Sequence, residues 1–326
     1  MVERVGESAQ VSAASHRSIP AGDPGPVATR RGAGGAFEDD VSGRTWRSRV
    51  SPFVGLAPFA LYTLVFLGIP ALAIVYGAFQ KPSGGFTFEN LRLATTGIYR
   101  TGYETSLELA VISSVVPGII GLLLAYAIHT SKSTNLRRIV STSSGVFANF
   151  GGVPLAFLFI ATLGTTGVAT TWLRDLGIDP YQHGFDLYTL SGVALVYMYF
   201  QIPLRVLVIT PALGGIRSTW REAANNLGAR SWQFWRHVGG PVLLPSVLGA
   251  VLLLFGSALS AYATAQALTS GSIALTPIQI GTFLNGNVLA GEQNVGKALG
   301  FGMIVIIMVV MLLYGILQRR ASKWLR

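Results

Sequence analysis

The chain has 326 residues, 51% of them apolar and only 12% charged, with a mean hydropathy of +0.52. Soluble domains carry about twice that charged fraction, so composition points to an integral membrane protein. Cysteine is absent, which removes disulfide frameworks, thiol chemistry and Cys-based metal sites.

Residues 1–50 are rich in Gly, Ala, Ser and Pro, with mixed charges and no periodic apolar pattern. They cannot bury enough surface to fold alone and are expected to form a disordered cytoplasmic tail. No apolar stretch precedes Phe53, so no signal peptide is expected. Arg44, Arg47 and Arg49 suit contact with anionic lipid beside the first span, and equally serve as topology charges.

Residues 51–326 read as an all-α transmembrane domain. Six stretches approach the roughly 20 apolar residues that a membrane helix needs, near 53–79, 105–129, 139–163, 187–211, 241–268 and 298–317. Asn149, Gly151, Gly152 and Pro154 interrupt the third. Eighteen Lys and Arg fall in the N-terminal tail, the 130–138 and 212–240 loops and the C-terminus; the opposite loops hold five. The basic side should be cytoplasmic, with both termini, in a multi-pass membrane protein. The formal charge of +10 is then mostly topological bias, and no nucleic-acid role follows.

The outer loops, 80–104, 164–186 and 269–297, carry Asp175, Asp179, Asp186, His183 and Glu292, whose spacing fits no metal-ligand motif. In the fifth span GSALSAYATAQA (256–267) is nearly all small, which suits close helix packing at the centre of the bundle. Tyr262, Thr264 and Gln266, with Asn149 in the third span, are candidates for lining a solute pathway. Helix–helix hydrogen bonding is the plainer role for any one of them. Arg205, near the end of the fourth span, is expected to snorkel toward the interface. Glu108 is expected to reach solvent, and His129 and His237 to sit at the membrane edge.

Gly291-Glu-Gln-Asn-Val-Gly296-Lys297-Ala298 approximates a phosphate-binding loop. Ala298 lacks the metal-binding hydroxyl, and no buried strand precedes the loop. No H-E-x-x-H, no G-x-S-x-G and no intramembrane carboxylate pair occurs, so neither catalysis nor ATP hydrolysis is expected of this chain.

The most specific segment is EAANNLGARSWQFWRHVGGPVLLP, 222–245, between the fourth and fifth spans. Thr219-Trp220-Arg221-Glu222 has the form of a capping box, with the Thr219 hydroxyl accepting from the Glu222 N–H and the Glu222 carboxylate returning to the cap N–H. A helix is thus predicted from Trp220. Gly228 can end it in a left-handed conformation at no Cβ cost. Ser231 can cap a second short helix through Trp232, Phe234 and Trp235. Pro241 and Pro245 mark entry to the next span. Two short helices presenting Ala223, Ala224 and Leu227 suit insertion into a groove on a soluble partner. A helix pair on the lipid surface would also use Trp and Arg, but would not call for a Glu-Ala-Ala…Gly spacing.

Glu222, Ala223, Ala224, Gly228, Val238 and Pro241 stand in the register of the EAA loop, and the chain resembles the permease subunit of a type I, binding-protein-dependent ABC importer. Gly240 departs from the pattern, which usually has Leu before that Pro. SAYATAQALTSGSIALTPIQI (260–280) and GGVPLAFLFIATLG (151–164) resemble the polyamine-type branch more weakly, since Ala265-Gln266 stand where a Pro is usual. The resemblance implies that loop 217–241 docks on ABC ATPase subunits carrying ATP and Mg²⁺. It further implies a second permease subunit, in a heterodimer rather than a homodimer, and an external substrate-binding protein. Glu222 would meet a basic ATPase residue, Gly228 would set the bend, and Ala223, Ala224 and Leu227 would fill the groove. The rival class is an ion-coupled secondary transporter or channel. It calls for coupling residues within the spans, where Arg205 alone stands, near an end. An intramembrane enzyme lacks a catalytic constellation.

The topology is tested by reporters that work only in the cytoplasm. One fused after Arg326 should be active and one inserted near Asp179 silent; equal activity at both sites would contradict six spans.

Overall fold

The computed structural model describes residues 56–286, 292 and 294–322. The predicted tail, 1–50, lies outside them. Among the described residues the one extended pairing is an isolated bridge between Gln80 and Phe86. Helix α1 spans Leu56–Ala78. It is followed by α2 (Glu89–Ala94), α3 (Gly97–Thr130), α4 (Thr134–Asn149), α5 (Gly152–Leu163), α6 (Val168–Asp175) and α7 (Leu190–Gly214). Then come α8 (Ser218–Asn226), α9 (Ser231–Phe234), α10 (Gly240–Ser260), α11 (Ala263–Thr269), α12 (Thr276–Leu284) and α13 (Val295–Ser322). Among the described residues, six helical stretches are long and apolar enough to cross a bilayer.

Helix α3 starts at Gly97, before the predicted 105. At 34 residues it is about 51 Å long, against a hydrocarbon core of about 30 Å. Its first turns are polar and carry an Arg100–Glu104 ion pair at 2.8 Å, so hydropathy alone reads the start late.

The third span is the largest correction, because 139–163 is not one helix. At the end of α4 the Asn149 side-chain amide donates to the Gly145 carbonyl at 2.8 Å. Phe150 and Gly151 are extended, and α5 starts at Gly152 with φ +74°. Pro154 is tolerated there because first-turn N–H groups have no helical partner. The third membrane-length stretch therefore covers 152–175, as α5 and α6. The fifth span, 241–268, is broken as well. Helix α10 stops at Ser260 and Ala261 is extended, with its carbonyl taken by the Tyr197 hydroxyl. Both breaks serve one contact, since the Gly152 N–H donates to Thr264 Oγ1 at 2.9 Å where α5 packs on α11. The buried Ala258, Thr264 and Ala265 bear out close packing of the small-residue stretch.

Helices α3, α7 and α10 pack together. One apolar cluster includes Leu109, Leu155, Val193, Leu259 and Leu268, and another, toward the 215–239 loop, includes Ala125, Val206, Ile209 and Leu243. Between α7 and α10 runs a polar ladder. Tyr197, Gln201 and Arg205 stand at i, i+4 and i+8, on one face of α7. Tyr197 Oη donates to the Ala261 carbonyl at 2.5 Å, Gln201 Nε2 to that of Leu254 at 2.9 Å and Arg205 Nη1 to that of Val247 at 2.9 Å. Arg205 is 0% exposed, so it does not snorkel. Residue 121 in α3 is Gly, and a Cβ there would come within 2.6 Å of the Arg205 stem. That room lets the side chain turn inward to α10. Its Nε and Nη2, and Gln201 Oε1, have no hydrogen-bond partner among the described residues.

Glu108 is exposed, as expected. Two residues of the phosphate-loop look-alike, Asn294 and Lys297, are engaged in packing contacts. Asn294 Nδ2 donates to the Gln80 carbonyl at 2.7 Å, and Lys297 Nζ to Asn294 Oδ1 at 3.0 Å. In the 164–186 loop, Arg174 Nε donates to Asp179 Oδ2 at 3.1 Å and holds that carboxyl below its ordinary pKa. The backbone N–H of Tyr181 donates to the other oxygen at 3.1 Å. Among the described residues, no three His, Asp or Glu stand together as a metal cluster would require.

The Gly121–Arg205 contact yields a stability prediction. Gly121→Val should destabilise the detergent-purified chain by about 1–3 kcal/mol through overpacking. Gly145→Ala, at a position with open space around its Cβ, should change little. Equal melting of both variants and the parent would contradict this packing.

Candidate functional site: the loop between the fourth and fifth spans

Helix α8 begins one residue after Arg217, which is extended (φ −70°, ψ 135°) and makes no side-chain cap. The predicted capping box does not form. With Ser218 already helical, Thr219 is inside the first turn, and the Trp220 N–H donates to the Arg217 carbonyl at 3.2 Å instead. Glu222 is exposed and makes no ion pair among the described residues.

The far end of α8 behaves as the sequence predicts. Gly228 has φ +74°. The Gly228 N–H donates to the Asn225 carbonyl and the Ala229 N–H to that of Ala224, both at 2.9 Å, which is the Schellman pattern. The turn presents Leu227 outward at 88% exposure, while Trp232 is 71% exposed. Ala223 is exposed and Ala224 half-buried.

Ser231 is the first residue of α9 rather than its cap. Arg230 is the cap, and its N–H donates to Gln233 Oε1 at 2.7 Å. After Phe234 the chain runs through a π-helical turn, Trp235–Gly239, directly into α10. Pro241 is the second residue of α10, directly after the π-helical turn, so its missing N–H falls where the helical hydrogen-bond pattern is already irregular. The inner side of this arm is held by rings. Phe234 is 3% exposed, and Trp235 meets Tyr126 of α3 edge-on with centroids 5.3 Å apart. His237 is exposed, with Nδ1 3.0 Å from the Gln233 carbonyl. The loop thus has an anchored face and a free apolar tip.

The pathway candidates do not converge. Asn149 is exposed and engaged with its own helix. Thr264 is buried in the α5–α11 contact, the helix–helix role. Tyr262 is 38% exposed, its ring against Gly281. Gln266 helps line a cavity of about 490 Å³ with Tyr99, Ser270 and Gln279, at the end of α3 remote from the loop. The residues that sequence reasoning missed are Tyr197 and Gln201. Their spacing with Arg205 on one helical face was the available signal.

Residues 101–326 match the family described as "Binding-protein-dependent transport system inner membrane component". The chain is 27% identical over 216 residues to the probable sulfate transport system permease protein cysT of Nephroselmis olivacea, covering 65% of this chain and 71% of that protein. It is 30% identical over 120 residues to the thiamine transport system permease protein ThiP of Escherichia coli (strain K12), which is 37% of this chain and 22% of that one. In fold it is similar to a chain of a bacterial ABC transporter involved in alginate import. There the TM-score is 0.68 at 20% identity, covering 84% of this chain and 96% of the other. The match spans most of the chain, including the loop, and the protein belongs to this family of ABC importer permease subunits.

Proposed function

We propose that this chain forms one half of the translocation pathway of an ATP-driven importer for a small polar solute, and that residues 217–241 dock it on a separate ATPase. The observation that carries this reading is the α8 turn. A left-handed Gly228 holds Leu227 at 88% exposure on an arm whose other face is anchored. Burying a leucine is worth about 1.5–3 kcal/mol, so a tip of this kind is stabilised by a groove on a soluble partner. Glu222, free and exposed beside Ala223 and Ala224 on α8, is placed to meet a cation there. ATP and Mg²⁺ belong to that partner, a second permease subunit completes the pathway, and an external binding protein delivers the solute.

A polyamine is the narrower reading of the solute. It is supported by the strings 151–164 and 260–280, which meet through the Gly152–Thr264 hydrogen bond. The named relatives serve sulfate and thiamine, and the transporter of similar fold imports alginate. Uptake of a labelled polyamine by the assembled importer, competed by unlabelled polyamine, sulfate or thiamine, separates these. Saturable polyamine uptake unaffected by sulfate or thiamine is expected, and no polyamine uptake by the assembled importer would contradict the narrower reading.

Gly228→Val and Glu222→Lys test the coupling reading. Val tolerates positive φ poorly, and Lys replaces attraction by repulsion. Both positions are outside the apolar spans, so membrane levels should stay normal while ATPase co-purification and solute uptake fall together. Normal uptake by both variants would contradict docking through this loop.

A further inference from the structure

At the foot of the loop, where α3 and α7 end and α8 begins, lies a cavity of about 190 Å³ lined among others by His129, Arg217 and Arg221, with Tyr126, Thr130 and Trp235. No carboxylate lines it. Arg217 and Arg221 are four residues apart, which puts them on one face of the chain entering α8, where like charges repel. Neither guanidinium has a hydrogen bond or ion pair with a described residue. Glu222, next to Arg221, points about 100° around the helix from it. The N-terminus of α8 has no side-chain cap, and although the Trp220 N–H donates to the Arg217 carbonyl, the dipole of this helix end adds positive potential at the same place. The carbonyl end of α3 is occupied by Arg137, whose Nη2 donates to the His129 and Ser131 carbonyls at 3.0 and 3.4 Å.

We propose that this cavity binds a phosphate group and that the bound group ties the start of α8 to the end of α3. A water occupies about 30 Å³ of liquid, so the space holds a tetrahedral oxyanion with room to spare. Arg217 and Arg221 supply planar forks suited to phosphate oxygens, and His129 approaches from the other helix. Bound anion offsets the repulsion among these cations and the uncapped helix end. The group has two sources, the headgroup of an anionic lipid at this membrane edge or free phosphate. A consequence for transport rests on the docking reading above. Binding itself does not, because it is measured on this chain alone.

The experiment follows thermal unfolding of the detergent-purified full chain, titrated with inorganic phosphate against chloride at matched ionic strength. A second titration uses short-chain phosphatidylglycerol, with zwitterionic phosphatidylcholine as its control. A ligand that binds only the folded state raises the melting temperature saturably. The expected result is such a shift with phosphatidylglycerol or phosphate, lost in the Arg217→Gln/Arg221→Gln double variant. A shift with the lipid alone assigns the headgroup, and a shift with inorganic phosphate assigns the free ion. Should the double variant not fold, His129→Gln carries the same comparison. No saturable shift with either ligand, or an equal shift in the variants, would overturn the proposal.

Discussion

Much of this structure depends on the ladder that joins α7 to α10. In a bilayer every polar group must find its partner inside the protein. Tyr197, Gln201 and Arg205 meet part of that demand by donating to the carbonyls of Leu254 and Val247 in α10 and of Ala261 just past its end, while Arg205 Nε and Nη2 and Gln201 Oε1 have no partner among the described residues. These are the two helices that enter and leave the 215–239 loop. Polar bonds at three heights, together with α3 packed against both helices, oppose sliding of one past the other. The topmost bond takes the carbonyl of Ala261, the extended residue that follows α10.

The loop itself divides its residues between two tasks. Phe234 and Trp235 are turned inward, the latter against Tyr126 of α3, and the π-helical turn Trp235–Gly239 makes α9 continuous with α10. Leu227 and Trp232 are turned outward. Between the tasks stands Gly228, whose positive φ closes α8 and throws Leu227 to the tip. A stiff arm with an apolar end is what a groove-seeking contact requires. A lipid-lying pair would instead spread its apolar groups along one face. Beneath the arm, the Arg217–Arg221–His129 cavity is where it meets the bundle, so an anion there would set the angle at which the arm leaves it.

The first, second, fourth and sixth spans are legible in the sequence because hydropathy depends on composition over about 20 residues. Gly228 is legible too, because only backbone freedom explains a glycine at the end of a short helix. Less legible is whatever depends on which partner a polar group finds. Asn149 was visible as an interruption, yet nothing local says that its amide returns to Gly145 and that a new helix starts at Gly152. The Thr219–Glu222 box fails because α8 begins at Ser218, a shift of two residues that depends on how the chain leaves α7. Arg205 looks like a snorkelling residue when its distance from the helix end is counted. It turns inward because residue 121, more than eighty positions earlier, is a glycine.

The central claim is that the Leu227 tip meets an ATPase, and a cross-link tests it most directly. The chain contains no cysteine, so Leu227→Cys introduces its single thiol. A thiol-to-amine reagent applied to membranes holding the assembled importer should join residue 227 to an ATPase subunit. Leu284→Cys, which is also highly exposed at 83% but at the opposite end of the bundle, should give no such product. An ATPase adduct from residue 284 and none from residue 227 would contradict the account.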